Sequence, residues 1–287
     1  MSIDLHQHLW PASFVDALRG RDEKPYLDGD TLVLDEGRFP YDASAHDLAQ
    51  RLARLDTDGV DVAVVSLQPS LGLSLLESDE RRVLEERWIE GIRELAENAD
   101  GRLVALGPGR LVEGFPGVSV AADLLDDLDA AAPLLDACSK AGSFVFVHPG
   151  PARRRPGTPR WWAGIVDYGA EMQAAWFSWL DGGRERWPEL RVVFAMLAGG
   201  APFHLERLAV RSTLDVRSML DENVFLDVST HGRRAIELCL ETFGVEQLVY
   251  GSDRPVVDPA PTLRAVRGFG ESVERLILSD NPEKLVR

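Results

Sequence analysis

Ser143-Phe144-Val145-Phe146-Val147-His148 decides the fold. The run is apolar until it ends on a histidine, as expected of a parallel strand buried on both faces. Working outward from it, short apolar runs alternate with amphipathic stretches, the sign of alternating strand and helix. Upstream, strands are expected at Ser2–His6, Asp61–Ser66, Arg102–Leu106 and Gly117–Ala121. Downstream they are expected at Arg191–Met196, Asn223–Val228 and Gln247–Gly251. Helical spacing at Leu48, Leu52 and Leu55, a charged stretch from Glu77 to Asn98, and segments Ala130–Ala141 and Glu171–Trp187 fill the intervals. Eight such units in 287 residues close into a single-domain (β/α)8 TIM barrel. A doubly wound open sheet is the alternative.

Two irregularities interrupt the alternation. Residues 10–45 are too long for a simple connection after the first strand and carry a hairpin pattern from Tyr26 to Leu34. Such an insertion reads as a lid over the site or as a surface flap. Between Leu106 and Gly117 there is too little chain for a helix, so the third helical unit is expected to be shortened.

Composition narrows the functional classes. With 31 basic against 47 acidic side chains, the net charge of −16 repels phosphate backbones and anionic lipid. Nucleic acid and membrane surfaces are therefore not expected as partners; a small-molecule substrate is. Cys138 and Cys239 sit in helical contexts without CxxC spacing, so two buried free thiols and a reducing cytoplasm are expected. No apolar run reaches transmembrane length, and the first residues lack the layout of a signal peptide.

The candidate chemistry lies at strand ends, where barrel enzymes of this kind place it. His6 and His8 flank one residue at the end of the first strand, and side chains two apart share a face. Imidazole is a common neutral ligand for zinc-like metals. Alone the pair reads equally well as surface or capping histidines. Three further polar groups end other expected strands: His148, His231 after Phe225-Leu226-Asp227-Val228-Ser229-Thr230, and Asp253 after Leu248-Val249-Tyr250-Gly251-Ser252. Four of six histidines thus fall at strand ends, while His46 and His204 read as structural.

Taken together, several motifs resemble the amidohydrolase superfamily, in particular the amidohydrolase 2 branch that includes aminocarboxymuconate-semialdehyde decarboxylase and related aromatic-acid decarboxylases. The carriers are Ile3-Asp4-Leu5-His6-Gln7-His8, Asp58-Gly59-Val60-Asp61-Val62-Ala63-Val64-Val65 and Val145-Phe146-Val147-His148-Pro149. Ala198-Gly199-Gly200-Ala201-Pro202-Phe203 with Glu206-Arg207-Leu208, Tyr250-Gly251-Ser252-Asp253-Arg254-Pro255 and the closing Leu278–Leu285 complete the set. The resemblance implies metal ligation by His6 and His8, by His148 on the fifth strand and by Asp253 on the eighth. It implies one divalent ion, zinc by preference with manganese as the alternative. His231 matches a histidine that some members carry after the seventh strand. One departure stands out: Met196 occupies the sixth-strand position where the family usually carries a histidine. Lys24, Lys140 and Lys284 are the only lysines, none of them on the fourth strand where two-metal relatives bridge their ions, which argues for one metal.

An ion held by three neutral imidazoles and a carboxylate keeps positive charge, lowers the pKa of bound water and polarises a substrate oxygen. Asp253 is then the expected proton shuttle, with His231 as a helper. Arg153, Trp161 and Arg254 are candidate substrate-binding residues for a carboxylated ligand. The same residues read as well as a solvated basic loop and packing tryptophans. The leading expectation is hydrolysis of an amide, cyclic amide or lactone. The alternatives are non-oxidative decarboxylation and a degenerate, non-catalytic ligand-binding barrel, and monomer or homodimer is left open.

Overall fold

The β-branched and aromatic residues around Phe144–His148 form a strand buried at every position. The computed structural model describes residues 1–213 and 221–286. Eight parallel strands carry the fold: β1 (Ile3–His8), β2 (Val62–Ser66), β3 (Leu103–Ala105, continuing at Gly107–Pro108), β4 (Gly117–Ala121), β5 (Phe144–His148), β6 (Val192–Phe194), β7 (Val224–Asp227) and β8 (Leu248–Val249). β1 pairs with β2, and β2 with β3. The continuation of β3 pairs with β4, and pairing runs on in order to β8. Leu106 is the pivot of β3. Its amide still donates to Val65 O (2.9 Å), but the next two residues turn to β4.

At the other end, Leu5 N donates to Tyr250 O (2.9 Å), Asp253 N to His6 O (2.8 Å) and His8 N to Arg254 O (2.7 Å). The chain leaving β8 therefore runs alongside β1, and all strands share one direction, as in a (β/α)8 barrel. Phe144, Phe146, Phe194 and Phe225 are fully buried, each worth about 1.5–3 kcal/mol over leaving it in water.

Helices cover the strands through apolar stripes. Ser78–Glu97 buries Leu84, Trp88, Ile89 and Ile92 at helical spacing, and Trp88 Nε1 donates to Leu9 O (2.8 Å), pinning the chain just after β1. Leu48–Asp58 starts at Asp47, whose carboxylate accepts from Gln50 N (2.9 Å), and stops at Gly59 in the left-handed region. The expected long helix from Glu171 to Trp187 is present as one continuous run, Tyr168–Ser178 passing through a wider turn over Trp179–Gly183 into a last turn Arg184–Arg186. No helix lies between Pro108 and Gly117, as the short connection predicts.

The inserted segment is ordered. Helix Ala12–Arg19 is followed by an antiparallel sheet of Tyr26–Asp28, Thr31–Val33 and Arg38–Pro40. The hairpin falls where the sequence places it; the third strand was not expected. This small sheet is tied to the segment after β5: Arg154 N donates to Asp35 O (3.2 Å), and the Tyr168 hydroxyl to Glu36 (2.5 Å). Among the described residues, no helix is long and apolar enough to cross a membrane.

Candidate metal centre

His6 and His8 leave β1 with their Nε2 atoms 3.1 Å apart. His148, at the end of β5, brings its ring centroid to 5.2 Å from each of theirs, and the three rings stand nearly perpendicular to one another. Asp253 Oδ1 lies 3.3 Å from His8 Nε2 and 3.6 Å from His6 Nε2. One ligand atom from each of His6, His8, His148 and Asp253 falls within 4.8 Å of all the others. Donors bound to one ion at about 2.0–2.2 Å sit roughly 3–4 Å apart, so the spacing fits one cation.

The outer side of each ring fixes its proton. His6 Nδ1 faces Asp227 Oδ2 (2.8 Å), His8 Nδ1 faces Ser66 O (3.2 Å), and His148 Nδ1 faces Pro149 O (2.8 Å). Each of these oxygens only accepts, so each Nδ1 carries the hydrogen and each Nε2 presents a lone pair inward. Two lone pairs 3.1 Å apart and buried beside a carboxylate repel unless a cation lies among them. The chemistry of the donor set therefore fits a divalent metal.

Electrostatics keep two of the three rings neutral. Burial, reinforced by repulsion from the neighbouring rings, holds His148 well below the usual histidine value, and burial likewise lowers His8. Burial also opposes the charge on His6, but the Asp227 charge and hydrogen bond outweigh it and raise this ring. For Asp253, burial is overcome by the His8 contact and the surrounding imidazoles, and the carboxyl stays below its ordinary value. Asp253 is thus held as a carboxylate.

Backbone strain concentrates at the same end of the barrel. Asp253 and Thr230 adopt φ of 56° and 63°, and Met196, Leu197 and Ala198 form a left-handed run ahead of Gly199. Non-glycine residues pay about 1–2 kcal/mol each for this conformation, and such positions cluster at functional sites. Met196 is half-buried at the start of this turn, where Gln173 Nε2 fastens Gly199 O (2.6 Å). The tight strand-to-helix turn read from Ala198–Pro202 is present in this form.

The other sequence-level candidates are not drawn into the cluster. His231 is half-buried after β7, with Nδ1 on Ser229 O (2.8 Å), outside the four converging ligands. Arg153 and Trp161 are exposed on the segment after His148. Trp161 stacks on Trp162, while Arg153 lines a cleft with Arg38, Arg154, Arg155 and Arg160 against the inserted sheet. Arg254 donates from Nη2 to Asp58 (2.7 Å). Among the described residues, none of these three side chains hydrogen-bonds to the four ligands. His46 is half-buried and neutral, pushed down to about 3 chiefly by desolvation, and His204 closes a short turn before helix Leu205–Arg211.

Sequence reasoning missed the groups behind the ligands. Asp227 is fully buried and accepts from His6, while the Ser229 hydroxyl donates to it (2.5 Å). A carboxylate in an otherwise apolar strand was the available signal, since buried charge needs a partner.

The fold and this centre define a metal-dependent barrel of the amidohydrolase class. An amidohydrolase family model, of the amidohydrolase 2 type, matches residues 3–287, and the chain belongs to that family. It is 23% identical over 330 residues to a 2-amino-3-carboxymuconate-6-semialdehyde decarboxylase of Dictyostelium discoideum, covering 98% of this chain and 90% of that protein. Among solved structures, the apo form of IDCase from Metarhizium anisopliae superposes with a TM-score of 0.81 at 19% identity, over 99% of this chain and 96% of that one. A 5-carboxyvanillate decarboxylase from Novosphingobium aromaticivorans, complexed with manganese and 4-hydroxy-3-methoxy-5-nitrobenzoic acid, gives 0.76 at 19% identity, over 99% and 95%.

Proposed function

We propose that this protein is a carboxy-lyase that removes carbon dioxide non-oxidatively from a small aromatic or muconate-type acid. The observation that carries it is the convergence of three inward Nε2 lone pairs and one ionised carboxylate at a single point. Two of the three relatives named above are decarboxylases, which favours this reaction over the amide or lactone hydrolysis expected from the sequence.

His6, His8, His148 and Asp253 would hold the ion, zinc by preference and manganese as the alternative, since imidazole and carboxylate together suit both. When bound, the ion supplies a Lewis acid that orients the substrate carboxylate and neighbouring oxygen. The chain relays the proton. Asp253, ionised at rest, takes one up from solvent water and delivers it to the carbon that loses carbon dioxide. The C–C electron pair stays on that carbon and becomes the new C–H bond. His231 is the second candidate for proton transfer, and Arg153, Trp161 and Arg254 remain the candidates for holding the substrate's outer groups.

The test is a panel of hydroxylated benzoates and muconate-type acids against a panel of lactones and amides, with carbon dioxide and hydrolysis products both measured. Carbon dioxide release that is lost in Asp253→Asn supports the proposal. Hydrolysis without carbon dioxide release contradicts it.

A further inference from the structure

A single fully buried guanidinium sits behind three of the four ligands. Arg51, on helix Leu48–Asp58, is 1% exposed. Its Nη1 donates to Gln7 Oε1 (2.6 Å), and its Nη2 to both His8 O (3.1 Å) and Ala45 O (2.7 Å). Gln7 passes the contact on: its Nε2 donates to Asp4 Oδ2 (2.6 Å). The other oxygen of Asp4 accepts from His6 N (3.2 Å) and from Ser252 N (2.9 Å), the amide before Asp253. One chain of charge-assisted hydrogen bonds thus ends on the backbone of His8, of His6 and of the residue beside Asp253.

The network occupies a place where β1 is irregular, since its register with β2 shifts between Asp4 and Gln7. A regular ladder would hold the strand there without help. Here side chains replace it, and a planar guanidinium suits three acceptors better than an ammonium would. A buried cation is costly unless it is well paired, so its presence asks for a reason beyond packing. The Ala45 and His8 carbonyls also bracket the inserted segment, so the same group staples the two ends of that segment together.

We infer that Arg51 is the positioning residue of the metal centre, setting the affinity for the ion by fixing the backbone of His6, His8 and Asp253 through Gln7 and Asp4. The inference rests on the four-ligand reading and is independent of which reaction the centre performs. Partners of this outer kind are worth about 10–100-fold in metal affinity.

The test uses the full-length protein, zinc alone as ligand and a chromophoric chelator as competitor, with the Tm of the metal-free protein measured alongside. Arg51→Met is expected to raise the zinc Kd by about 10–100-fold, with Arg51→Lys in between because its charge can still reach one or two of the acceptors. Gln7→Glu keeps an acceptor for Arg51 but loses the donor to Asp4, and it is expected to weaken zinc in the same direction. These last two variants decide the matter if Arg51→Met does not fold. A lower Tm with an unchanged zinc Kd in the folded variants overturns the inference. If wild type itself takes up no zinc, the four-ligand reading fails instead.

Discussion

Asp227 Oδ2 accepts the Nδ1 hydrogen of His6 at 2.8 Å, from the side of the ring opposite the other ligands. Both groups are buried, so the bond holds the ring in one tautomer and one orientation. Asp227→Ala leaves the His6 donor with only the Ser229 hydroxyl, 3.3 Å away, at a cost of about 1–3 kcal/mol. Metal affinity is expected to fall about 10–100-fold, measured by chelator competition. An unchanged affinity would remove Asp227 from the centre.

Gly251 is small for a different reason from most glycines in turns. A Cβ there would stand 2.2 Å from Asp227 Oδ1 and 2.6 Å from the His6 Cβ. Neither neighbour can move without disturbing the centre. Gly251→Ala is expected to cost about 1–3 kcal/mol through overcrowding and to lower the metal bound per chain. A fully metallated variant with wild-type Tm speaks against this packing.

Glu171 accepts from Gly150 N (2.9 Å), two residues beyond His148. Burial, with Asp123 and Asp126 nearby, pushes its carboxyl up to about 7 against the Gly150 bond. The unfolded chain releases that proton near the ordinary value of about 4.3. The folded state therefore binds a proton that the unfolded state has lost, and stability present below about 4.3 declines as pH rises through about 7. Glu171→Gln keeps an acceptor for Gly150 and removes the ionisation. Its Tm is expected to fall less than wild type between about pH 5 and 8. Parallel Tm curves for the two proteins would contradict the assignment.

The two thiols should be silent in the native protein. Burial pushes Cys138 up to about 11 and Cys239 up to about 12, and both are shielded on the inner faces of their helices. Reaction with a chromogenic disulfide reagent is expected to be slow until denaturant opens the chain, when both react. Rapid labelling of either thiol in native buffer would contradict their burial.

Residues at strand ends made the ligands legible in sequence, because a polar side chain closing an apolar run has few structural reasons to be there. His6, His8, His148 and Asp253 were all candidates on that ground, with His231 beside them, and the family resemblance singled out the four. Arg51 was not, since an arginine on an amphipathic helix looks solvated, and only the fold shows that it points under β1. Gly251 was visible as part of a motif, but its close approach to Asp227 depends on how β7 and β8 pack. The left-handed run at Met196 was hidden too, because three of its residues are ordinary L-amino acids that local preference places elsewhere. The break of β3 at Leu106 likewise follows from barrel geometry, where one strand must serve neighbours on both sides.

The account rests on one ion shared by imidazoles from β1 and β5 and the carboxylate after β8. Its most direct test is metal analysis of protein purified without chelator, wild type beside the double variant His6→Ala, His148→Ala. The account predicts about one equivalent of zinc or manganese per wild-type chain and none in the double variant. Wild type that stays empty after either metal is supplied, or a double variant that keeps its full equivalent, would contradict it.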